Sequence, residues 1–199
     1  MSQSFLDDPN PIAGDMAVLT NLLQGSVAPH LHLPPTGDLR VLNLACGRCD
    51  EAETLVKFGQ SQTAGQVNLV GADIRIREIL QARENHAHLP AEFLLEDATK
   101  LHLHKQVGED FNMVLLRHQN YWHGPELWKK IFEQGLSKMD EEGLLVITSY
   151  FDKEHELALG ALQNMGAELV STTHNPLARK LFTPGKYVDK HVAVFRRKR

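Results

Sequence analysis

Long apolar runs are missing from this chain of 199 residues. None reaches the roughly 20 residues that a membrane-crossing helix needs. The opening residues, Met1-Ser2-Gln3-Ser4-Phe5-Leu6-Asp7-Asp8, have no basic start and no apolar core, so no secretory signal is expected and the cytoplasm is the expected address. Excess charge of one sign is lacking too. A formal net charge of −4 gives no global attraction to nucleic acid or to an anionic membrane. Only Arg196-Arg197-Lys198-Arg199 is densely basic, and a solvated terminus is expected there. Cysteine is limited to Cys46 and Cys49. They form one C-x-x-C, for which a thioredoxin-like redox site is an alternative reading, but the Trp-Cys context of such sites is absent. No G-x-x-x-x-G-K-[ST] occurs, which excludes a P-loop. Repeats, low-complexity tracts and a second globular domain are absent. What remains, 42% hydrophobic and 23% charged residues, is the composition of one ordinary globular domain with a sizeable core.

The organising stretch is Val41-Leu42-Asn43-Leu44-Ala45-Cys46-Gly47-Arg48-Cys49-Asp50-Glu51-Ala52. An apolar run enters a bend of small residues, and an acidic, helix-favouring segment follows at once. This is the pattern of a buried parallel strand, a tight turn and a helix N-terminus. Small residues in such a turn let a ligand approach the backbone closely.

Before this stretch, residues 7–11 read as a loop with two prolines. Asp15 is expected to cap a helix reaching about Ser26, with Met16, Leu19, Leu22 and Leu23 on one stripe. Residues 1–38 thus form an N-terminal segment, either a lid over a ligand site or a helix that covers the core. Residues 39–199 form the main domain. Strands are expected at 39–44, 67–72 ending on Asp73, 92–95, 111–116, 143–149, 167–172 and 191–195. Helices are expected between them: one from Ala52 stopped by Gly59, then 76–86, 125–138 and 153–165. Alternation of strand and helix argues a parallel α/β sheet, and the last two strands, with no strong helix between them, argue an antiparallel pair.

The stretch around Gly47 resembles motif I of the class I S-adenosylmethionine-dependent methyltransferases, which usually reads apolar-apolar-Asp-Leu-Gly-Cys-Gly-x-Gly. Leu44, Cys46 and Gly47 keep that pattern, while Asn43, Ala45 and Cys49 depart from it. The resemblance extends over residues 39–196. It implies a Rossmann-like, doubly wound, mostly parallel seven-stranded sheet with an antiparallel last strand, S-adenosylmethionine as cofactor, and methyl transfer to a small molecule or another unidentified acceptor.

Asp73 closes an apolar strand, where a carboxylate can accept two hydrogen bonds from a ribose diol or can cap the next helix. The resemblance makes it the acidic residue of motif II. It makes Asp97 the acceptor for an adenine amino group, with the next backbone N–H, that of Ala98, donating to the ring. The cofactor set implied is Ala45, Cys46, Gly47, Asp73, Ile74, Asp97, Ala98 and Arg117. A carboxylate or ammonium of the ligand is expected at Arg48 or at free N–H groups of residues 45–47.

The loop after the fourth strand, Arg117-His118-Gln119-Asn120-Tyr121-Trp122-His123, is where the reacting methyl group belongs. It lacks the two prolines of the Asn/Asp-Pro-Pro-Tyr/Phe motif that many amino-methyltransferases carry. His118 is the candidate base and Tyr121 the candidate pocket wall, with Trp122 beside it. Tyr150, Phe151, Asp152 and His155 either line the acceptor pocket or begin a helix capped by Asp152. Three H-x-H pairs (His30/His32, His86/His88, His102/His104) have no partner at metal-site spacing, so no metal is expected. Two other readings stand beside methyl transfer: a degenerate, non-catalytic binding module, and an NAD-dependent oxidoreductase, against which the single surviving glycine of the fingerprint argues.

Overall fold

The computed structural model describes residues 11–34 and 36–198. The opening residues, most of the loop expected at 7–11, and Arg199 lie outside the described residues. Seven strands form one sheet in the order β3-β2-β1-β4-β5-β7-β6. They are β1 (Leu39–Leu44), β2 (Val67–Asp73), β3 (Ala91–Leu95), β4 (Phe111–Leu116), β5 (Met139–Ser149), β6 (Ala167–His174) and β7 (His191–Arg197). β7 is antiparallel to both neighbours, β5 and β6, and the remaining pairs are parallel. The expected mostly parallel seven-stranded sheet is therefore what the chain forms.

The central strands are apolar on both faces, which is why they read as continuous runs. Val41, Met113, Leu115, Leu144, Val146, Val192 and Val194 pack on one side. Leu42, Leu44, Val114, Leu116, Leu145, Ile147, Ala193 and Phe195 pack on the other. Helices α1 (Pro11–Leu22), α2 (Ala52–Gln62) and α3 (Ile76–Asn85) cover the first face. Helices α4 (Pro125–Lys138) and α5 (Asp152–Asn164) cover the second.

Four expectations are corrected. Asp15 does not cap α1. It lies inside the helix, where its carboxylate takes the Arg179 guanidinium at 2.6 and 2.8 Å, and the chain runs on through a π turn at Leu23–Val27. Gly59 does not stop α2, which continues to Gln62. A Cβ at Gly59 would sit 2.7 Å from Val67 Cγ1 and 2.8 Å from Leu39 Cδ2, so this glycine is what brings the helix down onto β1 and β2. Asp152 does not cap α5 with its side chain. It pairs with Lys190 and His191 instead, both at 2.7 Å. The basic tail is not free: Arg196 and Arg197 belong to β7, and their guanidiniums donate to the carbonyls of His30 and of Leu136, Ser137 and Met139.

His155 on α5 is buried between strands. Its Nδ1 meets Ser149 Oγ at 3.0 Å, its Nε2 meets Thr172 Oγ1 at 2.8 Å, and His191 stacks on its ring at 4.6 Å. Burial, helped by His191, pushes its pKa down to about 4, so the folded protein holds the neutral ring. The unfolded chain takes up this proton near pH 6.5. His155 therefore removes no stability above pH 6.5 and removes about 3 kcal/mol by pH 4, at about 1.4 kcal/mol per unit. Urea unfolding across pH 7.5 to 4 is expected to show this loss in the wild type and to show it reduced by that amount in His155→Gln.

Candidate functional site

β1 leads on to β2 and β3 on one side, and β4 leads on to β5 on the other. Open α/β sheets bind ligands outside the carboxyl ends of strands at such a reversal. A cavity of about 320 Å³ opens there, lined by residues that include Ala45, Gly47, Glu51, Arg75, Arg117 and His118. A larger cavity of about 760 Å³, lined by charged residues that include Glu141, Glu168, Arg196 and Arg197, lies by the start of β6 and the end of β7, away from these strand ends.

The turn after β1 is left-handed at alternate residues: Ala45 has φ +53°, Gly47 +58° and Cys49 +52°. These are the three positions at which motif I ordinarily has glycine. Two of them here carry a side chain in a conformation that costs about 1–2 kcal/mol per L-residue. Two of its N–H groups are not free as expected. Cys46 N–H donates to Ala72 O at 3.2 Å, and Gly47 N–H to Asp73 Oδ2 at 2.8 Å. Arg48 is likewise engaged, with Asp50 at 3.0 Å.

Asn43, the other departure, has a chemical reason. Its Nδ2 donates to Glu51 Oε1 at 2.5 Å and lies 3.2 Å from Cys49 Sγ. An aspartate at this buried position would set a second carboxylate against Glu51. Contact with the Cys46 thiol, burial and the Glu51 charge push the Cys49 thiol well up. Redox exchange needs a thiol moved the other way.

Below the turn lies a ladder of buried charges. Arg117, at the end of β4, places Nη1 3.1 Å from Glu51 Oε2 and Nη2 2.7 Å from Asp189 Oδ2. Burial alone would lower the Arg117 pKa, but Asp189 and Glu51 raise it above its ordinary value. Burial would likewise raise Asp189, yet His118 and Arg117 hold it well below the usual carboxylate range. His118 Nε2 lies 2.9 Å from Asp189 Oδ1, and Nδ1 lies 2.9 Å from the Tyr150 hydroxyl, whose ring stacks on the imidazole at 4.1 Å. Nε2 also faces the Asp189 N–H at 3.3 Å, and the shorter carboxylate contact is the one that assigns the proton to Nε2. His118 is also left-handed, at φ +58°, with its N–H held by Thr148 Oγ1 at 2.9 Å. Strain of this kind persists only where surrounding contacts over-determine the backbone.

Asp73 ends β2 and is buried. Burial pushes its carboxyl up, but the Arg75 guanidinium and the N–H groups of Arg75 and Gly47 outweigh that and leave it below the ordinary aspartate value. Ile74, beside it, is 67% exposed. Asp97 accepts from Thr99 N and Oγ1 at 2.9 and 2.7 Å, which lowers its pKa, and Ala98 is buried behind it. Thus Asp97, Asp73, the 45–47 turn and His118 follow one another along four adjacent strand ends, over about 15 Å at the usual interstrand spacing. Tyr121 is placed otherwise: its ring is buried and lies parallel to Phe132 at 5.8 Å. Trp122, 48% exposed, meets the Phe151 ring edge-on at 5.6 Å.

Three participants escaped the sequence reading. Glu51 is in the motif stretch but reads as a helix-start acid. Asp189 lies 72 residues from its partner Arg117, and no local pattern marks it. Arg75 lies just before α3, and no local pattern marks it.

No protein-family model matches the chain, and no curated protein matches it. Solved structures do. One is an S-adenosylmethionine-dependent methyltransferase from Clostridium acetobutylicum, with TM-score 0.64 and 11% identity over 97% of this chain and 94% of that one. Another is the N-methyltransferase NodS from Bradyrhizobium japonicum, with TM-score 0.61 and 14% identity over 97% and 99%. A third is magnesium protoporphyrin IX methyltransferase from Synechocystis with its S-adenosylmethionine bound, with TM-score 0.65 and 15% identity over 100% and 86%. The chain has the class I S-adenosylmethionine-dependent methyltransferase fold.

Two outcomes follow from this geometry. Ala45→Gly relieves a left-handed alanine and is expected to raise unfolding stability by about 1 kcal/mol in urea titration. Arg117→Met strands two buried carboxylates and is expected to cost about 3–5 kcal/mol in the same measurement.

Proposed function

We propose that the chain binds S-adenosylmethionine across the ends of β3, β2, β1 and β4 and transfers its methyl group to a small-molecule acceptor beside His118. The observation that carries this reading is the buried Asp73 carboxylate at the end of β2, set against a left-handed turn at the reversal of strand order. Asp97 and the Ala98 N–H would take the adenine edge, with exposed Ile74 against the ring. Asp73 would take the ribose diol. The turn at Ala45, Cys46 and Gly47 would admit the amino-acid end, above Arg117.

The ladder supplies the electrostatics. Glu51 and Asp189 bring two negative charges and Arg117 one positive, which leaves one negative in excess. A sulfonium cation above this floor is favoured by it. S-adenosylmethionine would supply the methyl group here and be left as a neutral thioether. The acceptor's proton passes to the Tyr150 oxygen while the Tyr150 proton moves to His118 Nδ1, and the imidazolium then meets Asp189. The positive charge moves from the sulfur to the ring and the site's total is unchanged. Tyr150, from the end of β5, thereby takes the acceptor-side role for which Tyr121 is too deeply packed. Trp122 and Phe151 would wall the acceptor.

Calorimetric titration with S-adenosylmethionine and S-adenosylhomocysteine tests the reading. Micromolar binding by the wild type, weakened at least tenfold in Asp73→Ala, is the expected result. Folded wild-type protein that binds neither ligand would overturn it.

A further inference from the structure

Resting on the cofactor reading above, we infer that Arg75 is an internal competitor for the ribose and sets the affinity of the site. The Asp73 carboxylate offers about four lone-pair positions, and four donors fill them. Gly47 N–H reaches Oδ2 at 2.8 Å and Arg75 N–H reaches Oδ1 at 2.9 Å. The Arg75 side chain supplies the other two, Nε to Oδ1 at 2.9 Å and Nη2 to Oδ2 at 3.1 Å. Two side-chain donors in a fork, one to each oxygen, are what the two hydroxyls of a ribose diol would present. The guanidinium also lies over the turn, with Nη2 3.0 Å from where a Gly47 Cβ would stand. Backbone donors aim the carboxylate, and Arg75 occupies its outward side.

The contact is built to open. The Arg75 side chain is 59% exposed, so leaving Asp73 costs little buried surface. A second partner stands ready on the first turn of α3: Glu78 Oε1 is 3.9 Å from Arg75 Nη1. At that distance, beyond hydrogen-bond reach while Arg75 holds Asp73, Glu78 is the carboxylate on which the guanidinium would close when it yields Asp73 to the ribose. A nucleoside binds only that opened arrangement, so its apparent affinity is the intrinsic one reduced by the fraction of molecules in which Arg75 has moved.

The inference predicts a gain from deleting a pocket residue. Titrated with S-adenosylhomocysteine, Arg75→Ala is expected to bind about two- to fivefold more tightly than the wild type, the scale of a partly exposed bidentate pair. Raising salt from about 0.05 to about 0.5 M screens the pair and is expected to tighten wild-type binding but not that of Arg75→Ala. Glu78→Gln removes that second carboxylate and is expected to weaken binding in the wild-type background and to have no effect when Arg75 is alanine. Wild-type binding that Arg75→Ala leaves unchanged or weakens would overturn this inference and leave the cofactor reading standing. Absence of binding by both folded proteins would overturn the two together.

Discussion

The Arg117 guanidinium, held between Glu51 and Asp189, is the interaction on which the architecture of the site depends. It joins three pieces of chain that lie far apart in sequence: the end of β4, the turn before α2 and the approach to β7. A buried ion pair seldom adds net stability, because desolvation of the charges offsets their attraction. Its effect here is on register. Arg117 satisfies both carboxylates only when β7 has entered the sheet beside β5 and the motif turn has closed over β1. The wrong arrangement would bury charge without a partner, at a cost of several kcal/mol.

Strain sits on the same floor. Ala45, Cys49 and His118 are all left-handed without being glycine, and all three border this ladder. Two of them are held by specific contacts: Cys49 through Asn43 and His118 through Thr148. The departures from the glycine pattern place a conformational cost on the turn, and Asn43 in place of an acid gives one Glu51 oxygen a donor while Arg117 takes the other.

How far the sequence could be read depends on the range of the interaction concerned. β1, β2 and β4 were legible to the residue, because strands buried on both faces are bounded sharply by turn residues. The beginning of β5 was missed: its pairing with β4 starts at Met139, before an irregularity between Phe111 and Met113 that no short pattern announces. Gly59 reads as a stop because glycine often ends helices, but here the near approach of Val67 and Leu39 gives it another use. Among the site residues, Asp73 and the turn were visible because a strand end and a bend are local features. Asp189, Glu51 and Arg75 were not, because what defines them is a partner met only after folding.

The position of β7 has a consequence for how the chain is made. β6 reaches the sheet only through β7, since β7 lies between it and β5. During synthesis β1 to β5 can pair as they emerge, whereas β6 must wait, its backbone donors and acceptors unpaired, until the strand after it arrives. Exposed strand edges of this kind are the places where incomplete chains associate with one another. The same late segment brings Asp189 to Arg117 and His118, so closing the sheet and assembling the charge ladder are one event.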